Sequence, residues 1–174
     1  SFYSCNGIDN YSFLVGNTMG TTYSIKFSKS NIPIYKVQKD INNILNTINN
    51  QMSTYQSDSE ISIFNKSASN LSQKISLDFY YVLDKSKYYY DLSNGLFDIT
   101  IKSLSDLWGF YDKEFTLPDK KSINRIKAYI GFNKIKLLDD SQIVKSNNQI
   151  KISLNAIAKG YAVDKVANYF NSNN

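Results

Sequence analysis

Between Pro33 and Met52 the chain repeats one pattern: Val37, Ile41, Ile44, Leu45, Ile48 and Met52 recur three or four residues apart. That is the period of an α-helix with one apolar face, and such a stripe must be buried against another layer. A second period fits residues 21–27. Tyr23, Ile25 and Phe27 alternate with Thr22, Ser24 and Lys26, which makes a half-buried strand. Phe13-Leu14-Val15 is a short apolar run that suits another strand. Met19-Gly20 between the two is either a hairpin corner or a close-approach point, with Gly20 baring the backbone and Met19 covering a ligand.

The remaining elements follow the same logic. Ser59-Glu60 opens a short helix through Phe64, after a polar loop that carries Tyr55. Ser76 caps a helix over residues 77–93, with Leu77, Tyr81, Tyr88 and Leu92 as its apolar side, closed by Asn94-Gly95. Tyr88-Tyr89-Tyr90 lies inside that helix, so its three rings point in different directions. Asp119 caps a helix bearing Ile123, Ile126 and Ile130 that Gly131 stops. Strands over residues 134–138, 142–145 and 149–154 form a meander, and the last feeds Asn155 and a helix over residues 156–170. Ala162, Val163, Val166, Tyr169 and Phe170 make the buried stripe of that helix. The fold class is α+β, helices packed on a mostly antiparallel sheet. Residues 1–12 are an N-terminal tether and residues 13–174 one domain.

Composition removes several functions. With no histidine among 174 residues, Ser-His-Asp and Cys-His chemistry and every histidine-containing zinc site are excluded within the chain. A metal here is a hard cation on oxygen, such as Mg²⁺. The net charge is +5, yet Lys120-Lys121 is the only basic doublet, so no nucleic-acid footprint is expected. Cys5 is the sole cysteine, so no internal disulfide forms. It follows Phe2-Tyr3-Ser4, which reads either as the end of a lipoprotein signal or as an incidental cysteine.

Two stretches carry candidate chemistry. Asp98 stands among Phe97, Ile99 and Leu104, and a carboxylate among hydrophobes needs donors or a cation. It either caps the next turn or holds a ligand. A helix starting at Ala156 presents free N–H groups, with Ala156, Ala158 and Gly160 small enough to admit a phosphate and Lys159 supplying charge. A plain strand-to-helix junction has the same look.

Four stretches in order give these features a context: Thr18-Met19-Gly20-Thr21; Met52-Ser53-Thr54-Tyr55 with Ser59-Glu60-Ile61-Ser62; Gly95-Leu96-Phe97-Asp98-Ile99-Thr100 running on to Leu107-Trp108-Gly109-Phe110; and Asn155-Ala156-Ile157-Ala158-Lys159-Gly160-Tyr161-Ala162. The chain resembles the FAD:protein FMN transferases, the ApbE family, over roughly residues 16–170. The stretch corresponds to the first half or somewhat more of the family's length. The resemblance implies an incomplete copy of the ApbE-type, T-fold-like domain. It assigns FAD contacts to Met19, Tyr55, Leu96, Phe97, Asp98, Ser153 and Lys159, and a Mg²⁺ ligand to the backbone carbonyl of Ala156. It identifies no catalytic residue here.

The implied reaction is Mg²⁺-dependent transfer of FMN from FAD to a threonine or serine hydroxyl, with AMP leaving. The implied partners are flavin-accepting subunits of membrane redox complexes of the Rnf or Nqr type. The implied location is the bacterial cell envelope, as an inner-membrane lipoprotein anchored at Cys5 and facing the periplasm. Two departures stand out. Ser153 occupies a position usually held by Asp, and the family's later Asp-and-Thr metal segment and His motif have no counterpart in these residues. Alternatives are a non-catalytic FAD-binding lipoprotein, or a pyrophosphatase giving FMN and AMP.

Overall fold

The computed structural model describes residues 10–28, 31–110 and 117–173. Cys5 lies outside them. Strands β1 (Tyr11–Thr18) and β2 (Thr21–Ser28) form an antiparallel hairpin, pairing from Tyr11↔Ser28 to Thr18↔Thr21. Its strand takes in Tyr11 and Ser12, which the sequence reading placed in the tether. The corner is Met19-Gly20, with φ of +50° and +69°. Two consecutive left-handed residues match the right-handed twist of the strands, and a methionine there accepts strain that glycine avoids.

Helix α1 (Ile34–Met52) buries Val37, Ile41, Leu45, Ile48 and Met52, the stripe its spacing demands. It packs on the hairpin, on α2 (Glu60–Lys66), on α3 (Leu77–Leu92) and on α6 (Ala158–Ser172). Ser59, Ser76 and Asp119 cap α2, α3 and α5 (Lys120–Lys127), each accepting a backbone N–H three residues on. Asp119's two bonds to Ser122 hold its carboxyl below the usual range. At the end of α3, Asn94 and Gly95 both take positive φ and the Gly95 N–H returns to the Tyr90 carbonyl, which stops the helix.

A three-stranded antiparallel sheet, in order β3–β5–β4, joins β3 (Gln73–Lys74), β4 (Ile135–Leu138) and β5 (Gln142–Lys145). The architecture is α+β with antiparallel pairing throughout the described residues, divided between two small sheets. β3 was not legible because two residues carry no period.

Three expectations change. Helix α3 buries Phe79, Val82, Leu83 and Ser86, while Leu77, Tyr81, Tyr88 and Leu92 face solvent. Aromatic and aliphatic residues occupy both sides of α3, so period alone could not choose the inner face. In α6, Ala158, Ala162 and Val166 are buried but Val163 is exposed. Helix α5 ends at Lys127, three residues before Ile130, and Gly131 (φ +130°) instead begins a 3₁₀ turn over Phe132–Lys134.

The expected strand over residues 149–154 is not formed: Gln149 lies in a turn and residues 150–154 pair with no strand among the described residues. Their bonds go elsewhere. The Ile152 N–H donates to Asn65 Oδ1 (2.8 Å) and the Asn65 Nδ2 donates back to the Ile152 carbonyl (2.9 Å). The Ser153 N–H donates to the Ile99 carbonyl (2.8 Å). Lys145, with no accessible surface, donates its ammonium to the carbonyls of Phe64, Asn65 and Ile150 at 2.9, 3.1 and 3.2 Å. Side chains thus replace a ladder, and Ile150, Ile152 and Leu154 stay in the core.

Candidate functional site

Met19 at the hairpin corner, Tyr55 in the α1–α2 loop, and Asn155 and Lys159 at the entry to α6 converge on one cleft of about 190 Å³, floored by Ile48 and Met52. Past Tyr55 and Asn155 the cleft continues into a trough of about 680 Å³ walled by Ile101, Leu104, Trp108 and Phe110. On its other side Met19 and Lys159 also border an apolar groove of about 530 Å³ between β2 and α6. Cleft and trough together, about 870 Å³, fall in the range of pockets that take small-molecule ligands. A wider cleft, about 820 Å³, lies among Asp106, Arg125, Tyr129 and Lys151, but none of the expected site residues lines it. The convergence of charge, helix end and aromatic wall marks the first set as the candidate site.

The entry to α6 is a phosphate seat by its chemistry. The helix begins at Ala158, two residues later than expected, after a turn over residues 155–157. It has no side-chain cap and no acidic residue in its first turn. The N–H groups of Lys159 and Gly160, at the second and third positions, lie in the turn that has no intrahelical acceptor. The Lys159 ammonium is exposed and makes no ion pair or hydrogen bond with the described residues. Ala156 is exposed beside it.

Tyr55 is 72% exposed, held out by a knot of hydroxyls. Its N–H donates to Ser53 Oγ (3.3 Å). Two buried oxygens nearby, Gln51 Oε1 and Thr54 Oγ1, find no partner. Buried polar atoms are seldom left so.

The stretch 96–98 reaches the site indirectly. Leu96 is 93% exposed and Phe97 packs edge-on to Tyr89 at 6.1 Å. Asp98 Oδ1 accepts the Thr100 N–H (2.8 Å) and the Thr100 hydroxyl (2.7 Å). Thr100 Oγ1 in turn accepts the Gly131 N–H at 2.7 Å. Of the two roles open to Asp98, the cap is present, and Oδ2 accepts no bond. Asp98 does not line the cleft with Tyr55; it caps the 3₁₀ turn Ile99–Ile101, whose Ile101 does. Ser153 is buried, joined to that turn through the Ile99 carbonyl.

Met19, Tyr55 and Lys159 therefore meet directly. Ala156 follows Asn155 in the same turn, Asp98 and Ser153 bond to the turn that carries Ile101, and Leu96 and Phe97 line neither the cleft nor the trough. Of the trough's wall, Trp108 and Phe110 belong to a stretch that carries the resemblance and Leu104 was read as an apolar neighbour of Asp98, whereas Ile101 was not singled out beforehand. For a dinucleotide the fit is good: orphan donors, an unpaired cation and an aromatic wall face one open space. For a magnesium ion the fit is partial: among the described residues no group of three or more histidine, cysteine, aspartate or glutamate side chains could hold one.

An α+β scaffold that turns a helix start and a lysine toward an aromatic trough defines a domain built for a phosphate-bearing ligand. The chain belongs to the ApbE family, whose model matches residues 19–174. It is 34% identical over 163 residues to the FAD:protein FMN transferase of Vibrio cholerae serotype O1, covering 91% of this chain and 48% of that protein. The Haemophilus influenzae FAD:protein FMN transferase is also 34% identical over 163 residues, with 88% and 47% covered. Among solved structures, the flavin transferase ApbE from Vibrio cholerae superposes with a TM-score of 0.89 at 32% identity, covering 94% of this chain and 54% of that one. The chain spans about half the length of the curated relatives it matches.

Proposed function

We propose that these residues form the FAD-holding part of an FAD:protein FMN transferase. The observation that carries the reading is the convergence of Met19, Tyr55 and Lys159 on the cleft at the start of α6. The pyrophosphate sits at the first turn of α6, where the Lys159 and Gly160 N–H groups and the Lys159 ammonium meet its negative charge. One aromatic end of FAD lies in the trough against Ile101, Leu104 and Trp108, with Tyr55 at the junction. Met19 closes the far side. Asp98 holds the turn that presents Ile101, and Leu96 and Phe97 contact the nucleotide from the α3 side. Ser153 supplies a hydroxyl near that turn, at the position where the resemblance leads one to expect a carboxylate.

FMN passes to a threonine or serine hydroxyl as the pyrophosphate P–O bond breaks and AMP departs; the Ala156 carbonyl would give a bound Mg²⁺ one oxygen, and the ion would supply neutralising charge at the pyrophosphate. The acceptor is a subunit of a membrane redox complex of the Rnf or Nqr kind. Cys5 carries a lipid that holds the protein at the outer face of the bacterial inner membrane. Labelling with an alkyne fatty acid tests that last point, and unchanged labelling in Cys5→Ser would reject it.

Flavin-fluorescence titration tests the core reading. FAD quenches on binding, and Lys159→Ala weakens it about tenfold, the loss expected of a charge-assisted bond. Equal affinity in the variant, or no binding by the parent chain, sinks the proposal.

A further inference from the structure

We infer that helix α2 is the spacer that sets the width of the FAD cleft, with Ser59 and Asn65 as positioning residues at its two ends. The inference rests on the proposed FAD site and adds residues that touch no ligand. Three observations support it.

At the N-terminal end, Ser59 is 1% exposed and its hydroxyl is a hub. Ser59 Oγ lies 2.6 Å from the Ser53 carbonyl and 2.9 Å from the Gln56 carbonyl, and it accepts the Ser62 N–H at 3.2 Å. The Ser62 hydroxyl adds a longer bond to the same Ser53 carbonyl. Lys66, one helix length on, reaches back to the Ser57 carbonyl at 3.0 Å. The loop that projects Tyr55 is therefore tied to α2 at both ends, although Tyr55 itself stands in solvent.

At the C-terminal end, the Asn65 side chain takes both main-chain groups of Ile152, as a neighbouring strand would. The Lys145 ammonium, on the Phe64 and Asn65 carbonyls and on Ile150, meets the negative end of α2 and pins the same segment one residue pair earlier. Three residues after Ile152 the chain enters Asn155, and at Lys159 it faces the cleft. Among the described residues no strand supports this arm, so beyond the Ser153–Ile99 main-chain bond its placement depends on these side chains.

The Tyr55 loop, and the arm over residues 150–152 that leads into the Asn155–Lys159 turn, are thus both bonded to one seven-residue rod, the arm at its C-terminal end. A rod of seven residues is about 10 Å long. Side chains that only filled core would not link both walls, and a bonded rod fixes their separation before any ligand arrives.

Amide hydrogen exchange and FAD titration test this together. Asn65→Leu, equal in size but unable to make either bond, should speed exchange over residues 150–159 and weaken FAD about tenfold. Ser59→Ala should speed exchange over residues 53–58 and weaken FAD about fivefold, and Ser59→Thr, which keeps the hydroxyl, should restore both to within about twofold. Val82→Ala, a core truncation in α3, serves as control: it lowers stability yet leaves FAD affinity and both segments unchanged. If Asn65→Leu fails to fold, Asn65→Asp, which keeps the acceptor for the Ile152 N–H, shows the same exchange change in smaller measure. Unchanged exchange in these segments, or an equal loss of FAD affinity in Val82→Ala, overturns the spacer. Should the parent chain bind no FAD, the proposed function falls, while the exchange data still decide whether α2 holds the two walls.

Discussion

Lys145 sits in an environment far from the one its chemistry favours. Burial pushes its ammonium down from an ordinary value near 10.5 to about 8, with Lys151 adding repulsion, although three carbonyls hold it. The folded state therefore binds fewer protons than the unfolded one between these values, so this residue's contribution to stability rises with pH across that window. Below pH 8 the burial cost is present in full. Denaturant unfolding of Lys145→Met should show a loss of about 2 kcal/mol at pH 7, because three carbonyls lose their donor. The gap from the parent chain should widen between pH 8 and pH 10. A gap that stays flat would mean the folded lysine titrates as the unfolded one does, its charge unshifted by burial. Nothing in the sequence marked Lys145, since a lysine ending a short strand is ordinarily a solvated one. Asp98 shows the opposite case: both its possible roles were legible, and the 2.8 Å bond from Thr100 decides that the cap is real.

Elements were readable where one face differs from the other. Helix α1 has a single apolar side and its inner face follows from spacing alone, whereas α3 has apolar residues all round and its outer side was mistaken for its inner one. Two substitutions distinguish the faces by experiment. Leu92→Lys, on the exposed side, should change stability by no more than about 0.5 kcal/mol. Val82→Ala, on the buried side, should cost about 2 kcal/mol in the same thermal or denaturant assay. Comparable costs would mean that the exposed side is covered in solution. The segment 149–154 was misread for another reason. Its alternation is that of a strand, but hydrogen bonding to a side-chain amide leaves no trace in a pattern of hydrophobicity.

For the molecule as a whole, the cleft is assembled from the hairpin corner, the α1–α2 loop and the start of α6, which lie far apart in the chain. Proximity of that kind was reached through family resemblance and not through period or composition. No helix among the described residues is long and apolar enough to cross a membrane. In the proposed reading magnesium takes one backbone oxygen, from Ala156, and among the described residues no acidic cluster could complete its shell. Incubating residues 1–174 with FAD, Mg²⁺ and an acceptor subunit should therefore give bound flavin but no covalent fluorescence on a denaturing gel. A Mg²⁺-dependent band would place a complete metal shell within the chain.

The side-chain ladder at Ile152 also has a kinetic side. Asn65 and Ile152 are 87 positions apart, and Lys145 and Phe64 81 apart, so their loops close at a higher entropic cost than any helix turn or the β1–β2 hairpin. A ribosome making this chain releases Tyr55 and α2 long before the arm that completes the opposite wall. Until residue 152 emerges, α2 has its serine end tied and its asparagine end waiting. The binding cleft is thus a late product of folding, assembled only after the helices that frame it have formed.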